Sequence, residues 1–84
     1  MTKLRVKLYS LSTCGHCNAT KRLLEECATA YDYVDVDRLE GERRESVIED
    51  VKKLNPKCSF PTIVIGDTVI VGFKENEIRD ALGV

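Results

Sequence analysis

The sequence predicts a small α/β domain, ordered βαβαββα, in which a four-stranded mixed sheet is flanked by three helices. Three observations predict it. A run from Lys3 to Tyr9 alternates basic and apolar residues and leads into a long helical pattern. An aromatic and β-branched stretch, Tyr33 to Val36, precedes a second helical pattern. Ile63-Val64-Ile65 then runs into the turn signal Gly66-Asp67 and returns as Thr68 to Val71.

In chain order, Leu4, Val6 and Leu8 alternate with Lys3, Arg5 and Lys7 and are continued by Tyr9, which makes the first strand. Ser10 to Thr13 reads as a polar loop, with Ser12 or Thr13 capping a helix that begins near Asn18. Cys17, Leu24, Cys27, Ala28 and Tyr31 share one broad face of that helix; Lys21, Arg22, Glu25 and Glu26 fall mostly off it. Tyr33, Val34 and Val36, interleaved with Asp32, Asp35 and Asp37, form a second strand that ends in an acidic loop. After Gly41, Val47, Ile48, Val51 and Leu54 recur at helical spacing, with Glu42 and Glu45 near the positive end and Lys52 and Lys53 near the negative one. Asn55-Pro56 stops this helix. The third and fourth strands form an antiparallel hairpin, and from Glu75 the spacing of Ile78, Ala81 and Leu82 makes a last short helix. The first strand–helix–strand crossover implies parallel strands and a right-handed connection. One feature fits badly: a central strand covered on both faces should not alternate with Lys3, Arg5 and Lys7, unless those side chains snorkel out near its start.

The totals bound the function. Residues 1–84 make one domain, which buries ~60–65% of its unfolded surface. A hydrophobic share of 43% and a charged share of 32% are those of an ordinary globular chain, and a net charge of −1 with scattered Lys and Arg argues against nucleic acid. The start, Met1-Thr2-Lys3-Leu4-Arg5, is no signal segment, and no apolar run approaches the ~18 residues that cross a membrane. A cytoplasmic location is the expectation. Four cysteines then point to catalysis or metal rather than to a disulfide framework.

The stretch Thr13-Cys14-Gly15-His16-Cys17 carries that chemistry. Placed between a strand and a helix, Cys14 meets unpaired backbone N–H groups and the positive end of the helix dipole. Both favour the thiolate over a free thiol of pKa ~8.5. Cys14 is therefore the candidate nucleophile. Cys17, one turn on and further inside, is the resolving thiol that attacks a mixed disulfide at Cys14. Gly15 and His16 tune the pair, an imidazolium beside Cys14 making its disulfide more oxidising. The expected potential is about −180 to −230 mV, above the roughly −270 mV of more reducing centres.

The bland readings stand beside this one. Cys-x-x-Cys is also half of a zinc or iron–sulfur site, for which Cys27 and Cys58 are the remaining ligand candidates, but Cys27 lies about 20 Å along the helix from Cys14. Cys27 alone reads as a small core residue, and Cys58 as a loop cysteine that is either passive or a regulatory thiol. Phe73 is either a core aromatic or an exposed docking residue, and the charge run from Arg38 to Glu45 is a solvated segment.

The element order, a Cys-x-x-Cys after the first strand and Pro61 before the third together resemble the thioredoxin fold, and in size and motifs the chain resembles the glutaredoxins over essentially its whole length. The resemblance implies a cis Phe60–Pro61 bond lying against the thiols, with Phe60-Pro61-Thr62 offering backbone groups to an extended substrate. It also implies substrate contacts at Thr13, Phe60, Pro61, Gly72, Phe73, Lys74 and Glu75. Members that use glutathione usually carry Cys-Pro-Tyr-Cys, a basic residue three before the first cysteine, Thr-Val-Pro, and Gly-Gly-x-Asp-Asp. Here those positions read Cys14-Gly15-His16-Cys17, Leu11, Ser59-Phe60-Pro61 and Gly72-Phe73-Lys74-Glu75-Asn76. Val71-Gly72-Phe73-Lys74 is similar to the Gly-Phe-Arg stretch of the NrdH-redoxins, which take electrons from thioredoxin reductase, and Cys-Gly-His-Cys is the centre of protein disulfide isomerases. The expectation is a monomeric thiol–disulfide oxidoreductase acting on protein or glutathione mixed disulfides. It needs no cofactor, and its electron donor is thioredoxin reductase or glutathione, the former favoured by Leu11, His16 and Phe60. The alternative from another class is a carrier of zinc or of an iron–sulfur cluster held through Cys14.

Overall fold

The computed structural model describes residues 5–84; the Lys3-Leu4 start predicted for the first strand lies outside them. The elements are β1 (Val6–Ser10), α1 (Gly15–Glu26), β2 (Asp32–Asp35), a 3-10 turn (Val36–Arg38), α2 (Gly41–Leu54), β3 (Thr62–Ile65), β4 (Thr68–Val71) and α3 (Glu75–Leu82). The sheet order is β2-β1-β3-β4, with β2 parallel to β1 and the other pairs antiparallel. This is the mixed four-stranded sheet and three-helix arrangement of the thioredoxin fold.

Alternation along the strands sorts the side chains onto two faces. Val6, Leu8, Ile63, Ile65 and Ile70 point to one side, where Leu23 and Leu24 of α1 and Ile78 of α3 close a continuous apolar core. Cys27, Tyr31, Phe73, Ala81 and Leu82 pack around its margin. The other face carries Lys7, Tyr9 and Val64, and α2 covers it only in part: Val51 is fully buried, whereas Val47, Ile48 and Leu54 are half-buried. A groove lined by Lys7, Tyr9, Leu54 and Val64 is left beside Arg5. This incomplete cover explains the basic alternation in a central strand. Arg5 and Lys7 are exposed, and the Lys7 ammonium lies 5.4 Å from the centroid of the Tyr9 ring.

Several boundaries differ from the sequence reading. Helix α1 begins at Gly15, not near Asn18, and its cap is Cys14 rather than Ser12 or Thr13. It ends at Glu26, so Ala28 and Tyr31 do not continue its face. The chain leaves α1 with Ala28 at φ 52°, the Ala28 N–H on the Glu25 carbonyl and the Thr29 N–H on the Leu24 carbonyl, a Schellman ending. Val36 belongs to the 3-10 turn, not to the second strand, and that turn occupies the predicted acidic loop. In the β3–β4 hairpin, Gly66 supplies the positive φ (59°) needed at the first position of a two-residue turn.

Candidate active site

The register brings the predicted residues to one end of the sheet. Tyr9 lies opposite Thr62, and Thr62 opposite Val71, so the exit of β1 toward Cys14, the Phe60–Pro61 entry to β3 and the exit of β4 at Gly72 are neighbours. The Gly72 N–H donates to the Pro61 carbonyl at 2.8 Å, and Gly72 turns the chain away with φ 89°. The Phe60–Pro61 peptide is cis.

Cys14 sits at the N-cap of α1 with extended φ/ψ of −82° and 122°. Its Sγ accepts the Cys17 N–H at 3.3 Å, the place a serine or aspartate oxygen takes in an ordinary cap. The neighbouring Cys17 thiol, with the backbone N–H groups of Cys17 and His16, holds Cys14 below the usual thiol range against the opposing effect of burial. Cys17 is the reverse case. It is wholly buried, and its sulfur accepts the Leu11 N–H at 3.5 Å. Burial first, and the hydrogen bond to Cys14 second, push its thiol up to about 12, while the Leu11 N–H and the Lys21 charge pull the other way. Neither thiol is in a disulfide. One helical turn thus holds an accessible sulfur that favours the anion and a buried one that keeps its proton.

The remaining candidates fall around this pair. Gly15 is exposed at the first helical position, with open space where a Cβ would stand. His16 is exposed, and what it gives Cys14 is its backbone N–H. Thr13 is exposed, Pro61 buried and Phe60 half-buried. Phe73 is half-buried against the core margin. Lys74 stands at the N-cap position of α3 without a side-chain capping bond and pairs with Glu77 at 3.8 Å, while Glu75 pairs with Arg79 at 3.0 Å. The Arg79 guanidinium also lies 3.8 Å from the sulfur of Cys27, which is half-buried at the C-cap of α1. Cys58 is half-buried in the loop before Pro61, at φ 50°. Among the described residues, no group of three or more His, Cys, Asp and Glu side chains could hold a metal ion, and no helix is long and apolar enough to cross a membrane.

Sequence reasoning missed two polar devices. Asn55, read only as a helix stop, is buried; its amide donates to the Ser59 carbonyl, Ser59 Oγ and Thr62 Oγ1, while its oxygen accepts the Lys57 N–H. It thereby pins the loop that leads into Phe60–Pro61. The second device lies beside Cys17. Ser10 and Asp35 are register partners across β1 and β2, the Ser10 hydroxyl donates to Asp35 Oδ1 at 2.6 Å, and the Lys21 ammonium reaches the same oxygen at 3.0 Å. Two residues on, the Ser12 N–H and hydroxyl both donate to Asp37 and tether the loop that carries Cys14. Partial burial opposes ionisation of Asp35, yet Ser10 and Lys21 together hold its carboxyl below the usual range.

The glutaredoxin family model matches residues 6–70. The glutaredoxin structure from Methanosarcina mazei is 52% identical, aligned over 95% of this chain and 79% of that one with a TM-score of 0.88. The Methanosarcina acetivorans methanoredoxin structure is 44% identical over 98% of this chain and 87% of its own, with a TM-score of 0.93. The NrdH-redoxin of Escherichia coli is more distant, at 25% identity over 90% and 92% and a TM-score of 0.76. With its Cys14–Cys17 centre at the opening of α1, the chain belongs to the glutaredoxin family of thiol–disulfide oxidoreductases.

Proposed function

We propose that this chain is a dithiol disulfide reductase with Cys14 as nucleophile, Cys17 as resolving thiol, and a reductase protein rather than glutathione as its electron donor. The observation that carries the division of labour is the asymmetry of the two thiols: Cys14 is accessible and shifted toward its anion, and Cys17 is buried and shifted up to about 12. The Cys14 thiolate attacks one sulfur of a substrate disulfide, forms a mixed disulfide and expels the other sulfur as a thiolate. Cys17 then loses its proton, attacks Cys14, and releases the second substrate sulfur, which takes up a proton. Two electrons pass to the substrate, and the Cys14–Cys17 disulfide remains. No cofactor is required.

For the donor, Leu11 stands where glutathione-using members have a base, and the neighbouring Ser12 is held by Asp37. Acidic groups there disfavour a tripeptide that carries two carboxylates. The NrdH-redoxin neighbour, whose activity profile is described as thioredoxin-like, supports the same choice.

The test has two parts. Cys17→Ser should trap a covalent adduct with a model disulfide that reduced thiol releases, whereas Cys14→Ser should form none at this centre. Free thiols of the oxidised protein are then counted over time with millimolar glutathione, or with thioredoxin reductase and NADPH. Fast reduction by the reductase alone is expected; fast reduction by glutathione alone refutes the donor assignment.

A further inference from the structure

Lys21 lies one helical turn beyond Cys17, at the i, i+4 spacing that puts two side chains on the same face. Its side chain is only 19% exposed, although a surface lysine would extend into water. Two groups of β2 hold it in: the Asp35 carboxylate at 3.0 Å and the Tyr33 ring, whose centroid is 4.4 Å from Nζ. Asp35 is itself fixed by the Ser10 hydroxyl, and Leu11, the next residue of that chain, gives its N–H to the Cys17 sulfur. The three polar residues and the resolving thiol therefore form one connected group between α1, β1 and β2. A lysine needed only as a clip to β2 could stand anywhere on this helix face. Here it stands one turn from a buried sulfur, on the same helix face.

We propose that Lys21, held by Asp35, is a positioning residue for the resolving step: its ammonium stabilises the Cys17 sulfur as that thiol becomes a thiolate and attacks the mixed disulfide at Cys14. This rests on the reading of Cys17 as the resolving thiol. In the step, the Cys17 S–H proton leaves to solvent, a Cys17–Cys14 bond forms, the bond from Cys14 to the substrate sulfur breaks, and that sulfur departs with the electron pair and is protonated. Lys21 keeps its own proton throughout. Asp35 is a poor proton acceptor, because Ser10 and Lys21 stabilise its anion; its part is to hold the ammonium. The charged and titratable groups that face this pair are Cys14, Tyr31, Tyr33, Asp35, Asp37 and Arg38. The only base among them that pairs with Lys21 directly is Asp35.

The experiment follows the release of thionitrobenzoate from an aromatic disulfide reagent, using the full chain with Cys27→Ser and Cys58→Ser so that only the centre reacts. A first phase reports attack by Cys14 and a second reports resolution by Cys17. Lys21→Gln should leave the first phase within about twofold, slow the second about tenfold at neutral pH, and move the second phase's pH midpoint up by about one unit. Lys21→Arg should restore most of the rate, and Asp35→Asn, which keeps a hydrogen-bonding group but no charge, should fall between. A second phase in Lys21→Gln with the parent rate and pH profile overturns the proposal. So does a loss of thermal stability with an unshifted profile, which is what a clip alone gives. If Lys21→Gln does not fold, Lys21→Arg and Asp35→Asn carry the same comparison. Absence of a second phase in the parent, or its persistence in Cys17→Ser, would instead overturn the reading of Cys17 and leave Lys21 aside.

Discussion

The two ends of α1 carry the same kind of departure from an ideal helix, for different physical reasons. At the N-terminus the cap is Cys14, whose sulfur accepts the Cys17 N–H at a longer distance than an oxygen would. At the C-terminus the left-handed position of the Schellman ending is held by Ala28, at φ 52°, where glycine has no steric cost. The first departure has a chemical return: the Cys17 thiol, together with the same N–H groups that a serine would use for capping, lowers the Cys14 pKa. The second has none visible, since Ala28 is exposed and far along the helix from the thiols. Helix-end substitutions should therefore separate cleanly into those that change reactivity and those that change stability.

The sharpest separation is expected at Cys14. Cys14→Ser should reduce disulfide turnover to background, while thermal unfolding stays level or improves by up to about 1 kcal/mol, because serine is the better cap. A measurable loss of stability would mean that the sulfur does more for the fold than cap it. Leu24, fully buried against the sheet toward the far end, should show the opposite pattern. Leu24→Ala should cost about 2–5 kcal/mol in denaturant unfolding, with the alkylation rate of Cys14 unchanged in the fraction that remains folded.

Cys17 belongs to the reactive end yet leaves a mark on stability through pH. Its folded pKa is raised to about 12, above the unfolded ~8.5, so its contribution is fully present below the unfolded value and is lost as pH rises through that window. Cys17→Ser should flatten the fall in stability above pH ~9, and an unchanged slope would contradict the burial account. Smaller effects come last. Ala28→Gly should stabilise by about 0.5–1 kcal/mol, the relief of left-handed strain less the entropy that glycine adds to the unfolded chain. Gly15→Pro should add about 0.4–1 kcal/mol and keep Cys14 reactive. Gly15 is at the first helical position, Cys14 before it is already extended, and the N–H groups acting on the thiol are those of Cys17 and His16. A destabilised Gly15→Pro chain would show that the first turn is not preorganised as described.

What was legible in the sequence follows from the range of the forces involved. The β3–β4 hairpin and α3 declare themselves locally, through a β-branched run, a glycine turn and an i, i+3, i+4 pattern, and their positions match the structure closely. The start of α1 was misplaced because a thiol is not ordinarily counted as a cap, although the chemistry assigned to Cys14 requires that position. Its end was misplaced because Ala28 fits the apolar pattern and gives no sign of a left-handed backbone. The Ser10–Asp35–Lys21 group was invisible for another reason. Its members are distant in sequence and meet only through the parallel register of β1 and β2, so single residues that read as loop, strand and solvent face combine into one site. The basic residues of β1 looked inconsistent with a central strand until α2 was seen to cover only part of that face.

The measurement that tests the central claim most directly is the pH dependence of alkylation at each cysteine of the reduced protein, read by mass spectrometry of the labelled peptides. The account predicts that Cys14 reacts first, with a midpoint below the ~8.5 of a free thiol, and that Cys17 stays unlabelled until the pH approaches about 12 or the fold opens. Labelling of both with a common midpoint, or of Cys17 before Cys14, would contradict it.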